Sequence, residues 1–118
     1  MTVRRIVPDI KSKHPDESRA FFVDFLGLKV GMDLGRIMTF VSSSNPTAQV
    51  SVMRDDDASE LLPNMSVEVE DVDEVHARAI ERRLTIVYPI TSEPWGVRRF
   101  FVLDPNGTIV NVMSHLPH

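Results

Sequence analysis

The run from Trp95 to Val112 constrains this chain more than any other, because it specifies a β-hairpin together with its register. In Asp104-Pro105-Asn106-Gly107, proline presets φ for the first corner and asparagine tolerates the second. Glycine then supplies the positive φ that returns the chain through a G1-type bulge. Residues 100–103 and 109–112 flank the turn with aromatic and β-branched side chains suited to strands. Alternation along the second strand turns Asn111 to the face opposite Val110 and Val112. A simple core would not carry a polar group there.

The preceding chain has a pattern that is written twice. A strand is expected over 3–10, followed by a helix opened by Pro15-Asp16-Glu17, with proline early and acids at the positive end of the helix dipole. Phe21, Phe25 and Leu28 recur at i, i+4 and i+7, and Phe22 with Leu26 widens the stripe, so this helix is expected to bury a broad aromatic face. Gly27 is its stop. Strands over 28–33, 36–42 and 48–54 follow. Residues 55–60, Asp-Asp-Asp-Ala-Ser-Glu, read as a solvated connection, since the run lacks the glycine and terminal glutamate of a calcium loop. The order then restarts with a strand over 65–69. A helix capped by Asp71, with Glu74 three residues on, carries the stripe Val72, Val75, Ala79 and a Glu74–Arg78 pair. Strands over 85–90, 99–103 and 108–113 complete it. Strand, helix and three strands thus appear twice at a spacing of roughly 55 residues, the mark of a repeat.

Composition limits what such a repeat can do. A chain of 118 residues is expected to form one domain, 1–118, with modules of about 1–57 and 58–118. That size buries roughly two-thirds of the unfolded surface, enough for a core without staples. A net charge of -4 argues against a nucleic-acid partner, because phosphate binding is driven by Lys and Arg. No cysteine is present, which excludes thiolate metal sites and cysteine nucleophiles. No run is apolar enough for a signal peptide or a membrane span, so a cytoplasmic protein without membrane contact is expected.

The duplicated order, with Phe21-Phe22-Val23-Asp24-Phe25-Leu26-Gly27 after the first strand and Asp104-Pro105-Asn106-Gly107 before the last, resembles the vicinal oxygen chelate superfamily. That superfamily groups glyoxalases, extradiol dioxygenases and bleomycin-resistance proteins, and the resemblance covers essentially the whole chain. It implies an α+β fold of two βαβββ modules curving into an open, cup-like barrel around a cavity, and a homodimer. In metal-dependent members it also implies His and Glu ligands on four strands. The matching positions here are Val7, either Gln49 or Ser51, Asn64 and Asn111. Valine cannot ligate, and amide oxygens are weak neutral donors that suit calcium or magnesium only beside carboxylates. No metal and no cofactor are therefore expected, and the metal-dependent activities of the family are not carried over.

The expected ligand-binding residues are Asp9, Met38, Phe40, Met53, Asn64, Trp95, Phe101, Asn111 and Met113, an apolar wall with a few placed polar groups. Asp9 either pairs with an arginine such as Arg36 or Arg98, or meets a cationic ligand. Glu68 either lines the cup or faces solvent. Trp95, between Pro94 and Gly96, is either a loop anchor or a ligand-stacking surface. His14, His76, His115 and His118 read as exposed or helix-surface histidines. The preferred reading is a metal-independent small-molecule binding protein of the drug-sequestering, bleomycin-resistance type. An enzyme of the superfamily with an atypical or absent metal site is the alternative. A dimer whose cup is filled by Met and Phe is the third.

Overall fold

A computed structural model describes residues 2–117; His118 lies outside the described residues. Strands β1 (Val3–Ser12), β2 (Lys29–Asp33), β3 (Ile37–Val41) and β4 (Gln49–Arg54) surround a short helix α1 (Pro15–Arg19) that runs on as a π-helical turn, Ala20–Phe25. Strand β5 (Met65–Val69), helix α2 (Val72–Glu81) and strands β6 (Ile86–Ser92), β7 (Val97–Leu103) and β8 (Ile109–His115) repeat the order. The fold is α+β and the two βαβββ repeats are present.

Two compact units share the chain, one of Val7–Leu62 and one of Met1–Ile6 with Pro63–His118. Strand β1 contributes its later residues to the first unit and its opening residues to the second. The first unit's strand order is β2-β3-β4-β1 and the second's is β1-β5-β8-β7-β6. Neither order closes on itself into a barrel. Parallel β1–β4 and β5–β8 pairs accompany antiparallel hairpins in both units.

In the first unit, period-two alternation sends Phe40, Val50 and Val52 to one side, where Phe22, Val23, Leu28, Val30 and Met38 pack on them. Phe22 stacks on the fully buried Phe40 with ring centroids 5.4 Å apart. The helix itself departs from the expected stripe. Phe21 and Phe25 are 51% and 72% exposed, so the broad aromatic face is not buried. The cause is the π-turn, seen where the Leu26 amide reaches back five residues to the Phe21 carbonyl. Extra residues per turn rotate Phe22 and Val23 inward and leave Phe21 and Phe25 outside.

In the second unit, Val69, Val72, Ala79, Phe100 and Val112 form the core beneath α2. The Asp71 carboxylate caps that helix by accepting from the Asp73 and Glu74 amides at 3.1 and 3.2 Å, which occupies two of the donors a helix start leaves unpaired. His76 is half-buried and meets Phe100 edge-on, with centroids 5.0 Å apart, rather than standing on the helix surface. The hairpin turn forms as written. Gly107 has φ 79° and its amide bonds the Asp104 carbonyl at 3.1 Å. The Asp104 carboxylate accepts from the amides of Thr108 and Asn106, both at 2.8 Å, and these bonds hold its pKa below the usual value.

Phe100, fully buried, and Phe21, half exposed, give a paired test of this packing. Phe100→Ala is expected to lower unfolding free energy by about 3–5 kcal/mol, and Phe21→Ala to change it by no more than about 0.5 kcal/mol. Urea titration followed by circular dichroism measures both.

Candidate functional site

The face of the second unit turned away from α2 is fixed by what β8 gives to the core. Val110 and Val112 pack under the helix, so Asn111, Met113 and His115 fall on the opposite side. Strand pairing places Ser66 and Phe101 beside Asn111, and Glu68 and Arg99 beside Met113. Asn111 Nδ2 donates to Ser66 Oγ at 3.0 Å, while its Oδ1 is buried with no hydrogen-bond partner among the described residues.

Arg99 is the best-anchored charge on this face. Its guanidinium carbon lies 5.1, 5.0 and 4.9 Å from the ring centroids of Tyr88, Trp95 and Phe101. A guanidinium near aromatic faces is held by roughly 0.5–2 kcal/mol per good contact, depending on desolvation. Glu93 accepts from Arg99 Nη2 at 2.9 Å and from the Tyr88 hydroxyl at 3.0 Å. The loop that places these groups is a tight turn. Pro94 sets its first corner, Gly96 takes φ 91°, and the Gly96 amide bonds the Glu93 carbonyl at 3.1 Å. Trp95 is thereby held outward, 53% exposed, with its ring near Arg99.

Glu68 forms a second cluster. Its carboxylate accepts from Arg5 Nε and meets His115 Nδ1 at 2.9 Å. Burial pushes the carboxyl pKa up, but the hydrogen bonds from His115 and Arg5 outweigh it, so the net displacement is downward. Glu68 thus lies on the face away from α2, tied to β1 and β8, and is not a solvated side chain.

In the first unit, the face away from the helix carries Asp9 beside Ser51, and Ser51 bonds Thr39 through the two hydroxyls at 2.8 Å. Asp9 is buried, 7% exposed. Of the arginines expected near it, Arg36 is held by Asp56 and Glu60, and Arg98 by Asp73 and Ser92. Met53 is buried outside the helix-side core, in register with Ile37 and Lys11.

Three expected site residues sit elsewhere. Met38 and Phe40 point to the helix side, where Phe40 is fully buried under Phe22; they are core, because the even positions of β3 are those that meet the helix. Asn64 precedes β5 and is exposed, and its Oδ1 accepts from the Ile109 amide at 2.9 Å. It fastens the start of β8 and faces no wall. Phe101, Asn111 and Met113 share one face, with Trp95 reached from it through Arg99. Tyr88, Glu93 and Arg99 were missed. Alternation of Arg99 with Phe101 along β7 was the available signal, since it puts a cation on an otherwise apolar strand face.

The metal positions implied by the resemblance carry hydrocarbon, hydroxyl and amide. They are Val7 and either Gln49 or Ser51 in one unit, and Asn64 and Asn111 in the other. Gln49 Nε2 donates to the Pro46 carbonyl. A first-row divalent ion needs imidazole, thiolate or carboxylate, so this donor set does not fit one. Among the described residues, no three His, Asp or Glu side chains gather as a metal-holding group.

The model of the Glyoxalase-like domain matches residues 6–117, and the chain belongs to that family. Among solved structures, a glyoxalase/bleomycin resistance protein/dioxygenase superfamily member from Vibrio splendidus 12B01 is similar at TM-score 0.73 and 20% identity, over 96% of this chain and 99% of that one. Methylmalonyl-CoA epimerase from Mycobacterium tuberculosis is similar at TM-score 0.72 and 15% identity, over 98% and 88%. Homoprotocatechuate 2,3-dioxygenase from Brevibacterium fuscum is similar at TM-score 0.74 and 20% identity, over 98% of this chain and 38% of that one. These likenesses establish the fold. No curated protein matches the sequence.

The Glu68 cluster makes a prediction about pH. A carboxyl whose folded pKa is depressed contributes stability above its unfolded value, near 4.5, and loses it as pH falls through the folded value. Glu68→Gln is expected to cost about 1–3 kcal/mol at pH 7. The gap between variant and parent should close as pH drops below 4.5, as read by urea titration across that range.

Proposed function

We propose that this chain is a metal-independent small-molecule binding protein, with the Trp95–Arg99 platform as its contact surface for a flat ligand. The observation that carries the reading is the half-exposed indole of Trp95, held rigid by a turn and by Arg99 instead of being buried. An aromatic ring fixed in place but open to solvent loses little conformational freedom when a second ring stacks on it. Phe101, Tyr88 and Met113 supply further apolar surface on the same face, and unbranched methionine adapts to varied outlines.

Sequestration alone suffices for such a protein to protect against a toxic compound, as in the drug-binding branch of the superfamily. A dissociation constant on the order of micromolar or tighter is then enough. Among the described residues no helix is long and apolar enough to cross a membrane, and the reading takes the protein as cytoplasmic. It also takes two chains as pairing, which the exposed Phe25 and Leu26 at the π-turn support. Sedimentation equilibrium should return about twice the 13.4 kDa chain mass; a monomer at micromolar concentration contradicts that part.

A thermal-shift screen across aromatic antibiotics, aromatic amines and thiol conjugates, run in chelator, identifies ligands. Binding of a hit should shift the fluorescence of Trp95, the only tryptophan, and Trp95→Ala should weaken it by about tenfold or more, consistent with a lost ring stack. Full affinity in Trp95→Ala removes this residue from the site.

A further inference from the structure

We infer that the ligand of this face is a hydrogen-bond donor: a planar aromatic body carrying an N–H or O–H group, neutral or cationic, and not a carboxylate or phosphate. This rests on the binding reading above and adds the polarity of the ligand to it. The first observation is the Asn111 side chain. Its Nδ2 is committed to Ser66 Oγ, and its Oδ1 is buried and unpartnered, in a residue only 7% exposed. A buried acceptor without a donor costs about 1–3 kcal/mol, and a ligand that brings a donor recovers that amount. A ligand that brings another acceptor adds repulsion to it. Met113, two residues along the same strand face, has the flexibility to swing aside and open the approach.

The second observation is His115, which also lies on this face of β8. Glu68 accepts from Arg5 and its carboxyl pKa is displaced downward, so it meets His115 as a carboxylate that can only accept. The hydrogen bond between them is therefore donated by His115 Nδ1, and Glu68 stands on this face as an acceptor. The ring is 56% exposed. The orphaned acceptor Asn111 Oδ1 and the His115–Glu68 pair thus occur on one sheet face, with Asn111 and His115 four residues or about 13 Å apart along the strand.

The third observation is the charge balance. Both cations that reach this face are neutralised in place, Arg99 by Glu93 at 2.9 Å and Arg5 by Glu68. An anion approaching Trp95 would meet an arginine already paired with the Glu93 carboxylate. The arginine pattern that recognises phosphate or carboxylate, a guanidinium edge open to a bidentate partner, is absent here among the described residues.

Three probes with one ring system separate the possibilities: 2-naphthylmethylamine, 2-naphthylmethanol and 2-naphthoate, titrated at pH 7 into the full chain by calorimetry. The amine and the alcohol should bind at least about tenfold more tightly than naphthoate. In ¹⁵N spectra of the unsubstituted protein they should move the Asn111 side-chain amide together with the Trp95 indole signal. Asn111→Leu, which removes the acceptor at similar size, should bring the three affinities to within about threefold of one another, while the spectra of the parent keep the test valid if that variant folds poorly. Naphthoate binding as tightly as the amine, with the Trp95 signal moving, overturns the donor assignment and leaves the binding reading standing. No response from Trp95 to any of the three overturns both.

Discussion

Alternation along β8 is the constraint on which the site depends. Val110 and Val112 are required beneath α2, where they pack with Phe100, Val69 and Ala79. A one-residue slip would exchange every inward and outward side chain of the strand. The Asp104–Gly107 turn and the Leu103–Ile109 pairing prevent that slip. Once the hydrocarbon is committed to α2, Asn111, Met113 and His115 have no choice of face. The hydrophobic effect therefore positions the polar groups, and the hydrogen bonds to Ser66 and Glu68 only refine their orientation.

Much of the fold was legible because its signals are local. The Asp71 cap, the Pro-Asn-Gly turn and the period-two strands each depend on neighbours within a few residues, and each formed where the sequence placed it. The aromatic stripe of the first helix was misread because Phe21, Phe25 and Leu28 satisfy an α-helical period that the π-turn does not follow. Met38 and Phe40 were misplaced because a strand of Ile, Met, Thr, Phe and Val does not announce which side is apolar on both counts. Thr39 against Ser51, a pairing between residues twelve apart, settles it only in three dimensions. Arg99 with Glu93 and Tyr88 belongs to the same class: a cluster assembled by a turn and a strand pair, with no motif of its own.

Electrostatics give this member of the Glyoxalase-like family its distinct character. Where the resemblance implies a metal, the donor set is valine, hydroxyl and amide, which cannot displace water from a transition ion. The charged groups on the second unit's open face are spent on one another, Arg99 on Glu93 and Arg5 on Glu68, which also meets His115. Such pairs orient Trp95 and hold His115 against Glu68; among the described residues no His, Asp and Glu side chains gather in threes to hold a cation. In the proposed reading this face is organised around the Trp95 ring and the Asn111 acceptor, and not around an ion.

Retention of metal separates these two kinds of site most directly. Equilibrium dialysis of the purified chain against manganese, nickel and zinc, then against a mild chelator, followed by elemental analysis, reads it in one number. Amides and hydroxyls predict that no stoichiometric ion survives the chelator. One tightly held ion per chain would contradict the account, because it would require imidazole or carboxylate ligands that the strand registers place elsewhere.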